Sequence, residues 1–334
     1  MALYALEDVD DALDATRSFL TPIDRTLWVK LAFVVIFVGG PGANFNTFQY
    51  SFGGGDGGTP TGDLPAFEFG PRVWLLVAGI LGLALLLGLV FALVGSVMEF
   101  VFVESLRNRE VAVRRYWSRR WRQGVRLLAF RLVLGLFVFG SVALSALFGF
   151  LFFDALGPGT AVAFVLLVLP VFFVLALAVG LANGFTTVFV VPIMILADCG
   201  VLAGWRQLWP TITAQWKQYL AYVVVSFFLT LLGGLLVGVV TAVVAVVLLI
   251  PFGVLFAVAL ALFVFVAEPL GIGVFVIVGL LFGLAVVAGA ALVQVPVLTY
   301  LRYYALLVLG DVEPDFDLIP DQRAAVREPP ESAG

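Results

Sequence analysis

Six polar side chains lie inside or beside long apolar runs and are the residues that could do chemistry: Glu99, Glu104, Arg131, Asn183, Asp198 and Gln294. An ionisable group in hydrocarbon is costly and persists only with a partner or a task. Glu99 precedes Arg107 by eight residues and Arg131 follows Arg126 by five. Both therefore lie about 7–12 Å inside one polar boundary, on consecutive antiparallel spans. The spacing predicts a Glu99–Arg131 pair, either an ion pair locking two spans or a proton- or substrate-coupling pair. Asn183 and Gln294 read as interhelical hydrogen-bond glue, with a polar transport site as the alternative. Glu104 and Asp198 read as ordinary interface charges. The chain has no histidine, which excludes imidazole acid–base chemistry and His-ligated haem or zinc. Its one cysteine, Cys199, excludes an intrachain disulfide. No phosphate-binding loop and no nucleophile with a base partner is visible. The expectation is a non-enzyme with no catalytic residue, metal or cofactor.

The second feature is basic. Eight arginines fall between Arg107 and Arg126, whereas Gln218 to Leu301 carries one charge, Glu268. On a helical wheel Val113, Trp117, Trp121 and Leu128 share one face and Arg115, Arg119, Arg122 and Arg126 another. That pattern predicts an amphipathic elbow helix lying in the membrane interface, with aromatic anchors and snorkelling arginines. The four arginines are the candidate contacts to lipid headgroups, anionic ones in particular. A second connector, 199–218, carries the stripe Leu202, Trp205, Trp209, Ile212 and Trp216, read as interfacial anchoring.

These segments need a membrane to position them. The chain is 63% hydrophobic and 12% charged over 334 residues, about half the charge of a soluble domain. The predicted fold is an all-α polytopic transmembrane bundle of six spans: 27–40, 73–103, 127–153, 161–197, 219–250 and 271–309. Residues 1–26 are expected to form a cytoplasmic amphipathic helix with Leu6, Val9, Leu13 and Thr16/Leu20 on its apolar face. The first fifteen residues are acidic, so the first span is expected to act as its own insertion signal. Residues 41–71, with Asp56 and Asp63 among glycines, read as a flexible linker rather than a cation site. The tail, 311–334, is acidic and proline-rich and reads as disordered.

Charge sets the orientation. With both termini inside, sixteen of eighteen basic residues fall on the cytoplasmic side. A crossing by 252–267 would move Arg302, Arg323 and Arg327 outside, so that segment reads as re-entrant or as an outer helix. Spans 4 and 6 are overlong, and Pro170, Pro192 and Pro296 are the expected break points. Trp121-Arg122-Gln123 and Trp216-Lys217-Gln218 suggest a duplicated helix–elbow–helix unit. Two lysines against sixteen arginines, with thirteen Asp and nine Glu, point to a haloarchaeal proteome, a GC-rich genome being the alternative.

Around Val190-Val191-Pro192, Gly204-Trp205-Arg206, Trp216-Lys217-Gln218-Tyr219, Val295-Pro296 and Arg302-Tyr303-Tyr304 the chain resembles a haloarchaeal six-span integral membrane protein family of unknown function. It is more distantly similar to the membrane domain attached to some glycerophosphodiester phosphodiesterases. The resemblance implies a helical membrane protein and leaves its role open; the soluble phosphodiesterase domain is absent, so that activity is not carried over. The leading expectation is a lipid-interacting scaffold or assembly partner in the cytoplasmic membrane, with membrane lipids as partners and no nucleic acid. The alternative is a transporter or permease with a polar site between spans 4 and 6 at Asn183 and Gln294. An enzyme acting on lipid through interfacial carboxylates ranks third.

Overall fold

Backbone polar groups in hydrocarbon must bond within their own segment, so a chain this apolar is driven into helix. The computed structural model describes residues 4–38, 71–152 and 158–327, and among these all regular structure is helical. The helices are α1 (Tyr4–Leu20), α2 (Arg25–Val38), α3 (Pro71–Asn108), α4 (Val113–Phe152) and α5 (Pro158–Phe185). A π-helical turn, Thr186–Val190, leads into α6 (Val191–Ala197) and α7 (Val201–Ala214). Then come α8 (Trp216–Phe265), α9 (Glu268–Val312), a 3-10 turn at Pro314–Phe316 and α10 (Pro320–Arg327).

Five of the described helical segments are long and apolar enough to cross a membrane, and the protein is membrane-embedded. They are α3, α4, the run from α5 through α6, α8 and α9. The molecule has two zones. At one end is a base, where α1, α2, the end of α3, the start of α4, α6, α7 and the end of α9 bury a common core. Phe100, Phe102, Phe189, Tyr303 and Tyr304 are its largest fully buried side chains. Tyr304 stacks on Tyr222 at 5.4 Å, and Phe189 meets Tyr222 edge-on at 4.8 Å. From the base rise apolar arms whose leucines, valines and phenylalanines stay exposed, among them Leu85, Phe139, Leu167, Leu235 and Ile277. The arms pair as the hairpins α3/α4 and α8/α9. Phe256 on Phe275 at 5.0 Å and Phe252 on Phe282 at 5.4 Å fix the register of the second.

α2 is as short as expected of the first span: its 14 residues make about 21 Å of helix, against a ~30 Å core. Residues 39–40 of that expected span, and the 41–70 loop with Asp56 and Asp63, lie outside the described residues. The segment 252–267 is no separate element, because α8 runs unbroken through Pro251 to Phe265. Pro170 and Pro296 also sit inside continuous helix. A proline there removes one hydrogen bond, whereas a break in lipid strands several, so the helix continues. Pro192 does perturb its helix: lacking an N–H, it leaves the Val188 carbonyl without its usual donor, and the turn before it widens to π.

The arginine-rich connector does not form a helix of its own. Arg109, in the left-handed region at φ 53°, turns the chain, and from Val113 the arginines ride the first turns of the same 40-residue helix that forms the α4 arm. A continuous helix spaces its arginines along its axis, away from the arm. The second connector does form its own helix, α7, so the two halves do not share the expected duplicated unit.

α1 buries part of the expected face, Thr16 and Leu20 with Val9 packed beside them, but is rotated toward its small residues. Ala5, Asp8, Ala12, Ala15, Thr16 and Phe19 are buried, mostly against α9, whereas Leu6 and Leu13 are exposed. Small residues allow the helices to approach, and the Tyr304 hydroxyl donates to the Ala5 carbonyl at 2.8 Å. The tail is ordered through Arg327. Leu318 and Ile319 are buried, and α10 packs on α1, with Gln322 donating to the Arg107 carbonyl at 2.7 Å. Gly310 leaves room for the Arg323 guanidinium, which would overlap any Cβ there.

The α3/α4 crossing depends on Gly124. A Cβ at this position would lie 2.8 Å from the Val97 Cα, a backbone atom that cannot swing aside. Gly124→Ala should cost about 1–3 kcal/mol. Gly135→Ala, on the same helix with nothing within 4 Å, should be neutral or slightly stabilising. Thermal unfolding of both variants in detergent checks this.

Candidate functional site

The polar residues of the base gather into three clusters. The first is centred on Glu99 of α3. The predicted Glu99–Arg131 pair forms, with Arg131 Nη2 3.6 Å from Glu99 Oε1. Its stronger partner went unpredicted: Arg302 Nη2 of α9 lies 2.5 Å from Glu99 Oε2. Arg302 donates its other terminal nitrogen to the Thr187 carbonyl at 2.7 Å and sits over the Phe102 ring at 5.9 Å. Arg131 donates to the Thr187 hydroxyl at 2.8 Å. One residue of the π turn thus serves both arginines, which ties the widened backbone to the ion cluster. Glu99 is 4% exposed and Arg302 8%, so this pair is dry. The sequence signal for Arg302 was present, but the residue was placed on the cytoplasmic side only for its charge.

The second cluster joins three elements. Arg120 on α4 donates from Nε to Glu104 on α3 at 2.8 Å and from Nη1 to Gln123 at 3.1 Å. Gln123 in turn donates to the Met194 carbonyl at 3.0 Å and to Asp198 at 2.8 Å. Asp198, at φ 47°, closes α6 in the left-handed conformation. Glu104 is thus not an interface charge: its side chain is 3% exposed against an Arg120 at 5%. The buried face of α4 is Tyr116, Arg120, Gln123, Gly124, Leu127 and Leu128; the hydrophobic wheel found only Leu128 of these because the middle of the stripe is polar. Trp121, expected to anchor, is half exposed.

The third cluster clasps the two ends of the described chain. Arg327 of α10 reaches Asp8 at 2.7 Å, Asp11 at 2.7 Å and Asp311 at 2.6 Å. Asp8 is fully buried and its Oδ2 accepts no hydrogen bond. Burial first, then the Asp311 charge beside it, pushes the Asp8 carboxyl up to about 8, against the opposing pull of Arg327. The Asp8 and Asp311 carboxyls are hydrogen-bonded to each other, an arrangement that a proton on Asp8 allows.

The remaining candidates stay apart from these clusters. Arg115, Arg119, Arg122 and Arg126 are all exposed, in a row along α4. Arg115 is held by Glu110 at 2.9 Å and borders an open groove with Lys30, Arg114 and Ser118. Asn183 is exposed on α5, and its carbonyl accepts from Thr187 at 2.9 Å. The Gln294 Oε1 is buried and unpaired. No hydrogen bond joins these two among the described residues. On α7 the Trp209 and Leu202 side chains face outward, while Trp205 donates to the Thr186 hydroxyl at 2.9 Å. No group of three or more acidic or cysteine side chains among the described residues is placed to hold a metal ion.

The chain belongs to the family described as a family of unknown function (DUF7544), whose model matches residues 3–319. The match runs from α1 to the residue before α10 and so includes every clasp residue but Arg327. No curated protein and no solved structure matches the chain.

Two outcomes follow from the clusters. Glu99→Gln leaves two guanidiniums without a carboxylate and should cost about 3–5 kcal/mol. Arg131→Gln, at a quarter-exposed residue with the longer contact, should cost less than half as much in the same thermal unfolding assay. For the clasp, the folded state holds a proton on Asp8 that the unfolded chain releases near 3.8. Its stabilising effect is complete below that value and is lost as pH rises through about 8. Trypsin should therefore cut at Arg323 and Arg327 faster at pH 9.5 than at pH 7, and Asp8→Asn should remove the increase.

Proposed function

We propose that this protein is a non-catalytic, lipid-interacting scaffold of the cell membrane, with its base and both termini on the cytoplasmic side. One observation carries the reading. Apart from Arg131, the carboxylates and guanidiniums buried in the base are spent on each other, while the exposed side chains are apolar arms and a row of arginines on α4. A catalytic or transport centre would keep polar groups unpaired around a cavity. Here the groove nearest the basic row is open and shallow, and it sits against charges suited to headgroups rather than to chemistry.

The positive-inside distribution supports the orientation. The continuous α4 grades the arginines by depth. Arg126 is nearest the arm, and Arg122, Arg119 and Arg115 step away from it by roughly 6, 10 and 16 Å. Arg126 and Arg122 are therefore the residues of the row best placed for headgroup contact. In the Asp-rich, lysine-poor proteome that the composition suggests, molar salt would shorten the Debye length to about 3 Å. Direct arginine–phosphate contact would survive there and long-range attraction would not.

A transporter is the competing reading, favoured by the π turn beside a buried ion cluster, since such turns recur at functional sites. Reconstitution separates the two. The scaffold reading expects vesicles carrying the protein to hold proton and potassium gradients as well as empty vesicles. It also expects native mass spectrometry to find retained anionic lipid that an Arg119/Arg122/Arg126→Gln triple variant loses. A gradient that collapses with the wild-type protein and is preserved by Glu99→Gln would establish transport instead.

A further inference from the structure

The cluster around Glu99 contains one carboxylate and two guanidiniums, so it carries an uncompensated positive charge. The two arginines are not equal. Arg302 is satisfied by Glu99 at 2.5 Å, by the Thr187 carbonyl and by the Phe102 ring. Arg131 is not. Its closest carboxylate oxygen is 3.6 Å away, its Nη1 has only a 3.5 Å approach to the Ser96 hydroxyl, and its buried Nε has no acceptor. Arg131 is also the open member: its side chain is 26% exposed, against less than a tenth for the other two.

Depth sets what that open side meets. Arg131 lies about 31 Å along α4 from the arm's end at Phe152, the thickness of a hydrocarbon core. With the far end of α4 near one interface, Arg131 stands just inside the other edge of the hydrocarbon, about 7 Å deeper than Arg126, from where its long side chain reaches the glycerol and phosphate level. A cation left over at the edge of hydrocarbon attracts an anion there, and the forked donors of a guanidinium match phosphate oxygens better than any other side chain does. The Thr187 hydroxyl and Glu99 hold Arg131 in place, so little side-chain entropy remains to be lost on binding.

We infer that Arg131 anchors a specific site for the phosphate of an anionic lipid headgroup, with Glu99 and Arg302 behind it setting the site's net charge. The inference rests on the scaffold reading but is separable from it: the exposed row on α4 acts through loose contacts, whereas this site is one fixed guanidinium.

The experiment titrates purified protein in dodecyl maltoside with phosphatidylglycerol, phosphatidylcholine or inorganic phosphate. The midpoint of thermal unfolding gives affinity. Phosphatidylglycerol should raise the wild-type midpoint, and the other two should not. Arg131→Gln should weaken phosphatidylglycerol at least tenfold. Glu99→Gln removes the compensating charge, so it should bind phosphatidylglycerol severalfold more tightly although its unliganded midpoint falls, a result that structural damage cannot produce. If Arg131→Gln fails to fold, Glu99→Gln decides. Wild-type affinity in Arg131→Gln, or no gain in Glu99→Gln, would overturn the site. An equal effect of inorganic phosphate would overturn its assignment to a lipid. The scaffold reading itself stands or falls on the vesicle gradients, which this titration does not touch.

Discussion

Two carboxylates on successive turns of α3 decide how the base is assembled. Glu99 takes Arg302 from α9 and Arg131 from α4, and Glu104 takes Arg120 from α4. All but Arg131 are nearly or fully buried, so each carboxylate must find its partner or pay a desolvation cost of several kcal/mol. That requirement fixes the rotation of α3 about its own axis and the heights of α4 and α9 against it. The aromatic packing of Tyr303, Tyr304, Tyr222 and Phe189 then fills the space between helices already placed. Apolar side chains alone would leave such placement loose, because leucine against leucine is no better than leucine against lipid once water is absent.

The base and the arms follow different rules. In the base, helices are held by directional contacts and by small residues such as Ala12 and Gly124 that allow close approach. In the arms, helices touch in pairs and leave most large side chains facing outward. An arm of this kind is stable only where its surroundings are as apolar as itself, so the membrane completes the fold. The clasp of Arg327 on Asp8, Asp11 and Asp311 serves a separate purpose, bringing the two ends of the described chain together over α9.

The fold class was legible because hydropathy and charge distribution report directly on the bilayer. The Glu99–Arg131 pair was legible because two helices descending to one boundary must bring residues of equal depth together. What was not legible depended on rotation. Arg302 sits at the right depth, but nothing in its spacing says which helix α9 faces. The buried stripes of α1 and α4 were only partly read because each contains a polar residue, Asp8 and Arg120, and a wheel that sorts apolar from polar assigns such residues to solvent. The expected elbow failed for a related reason: amphipathic periodicity shows that a helix has two faces, not where it ends, and α4 simply continues into the arm.

The contact between Glu99 and Arg302 is the fixed point between α3 and α9. A double-mutant cycle with Glu99→Gln, Arg302→Gln and the double variant, read by thermal unfolding in one detergent, measures it directly. A favourable coupling of about 2 kcal/mol or more is expected for a buried pair in contact. A coupling near zero, with the two substitutions simply adding, would show that the helices are placed by packing alone and would contradict the central role given to this pair.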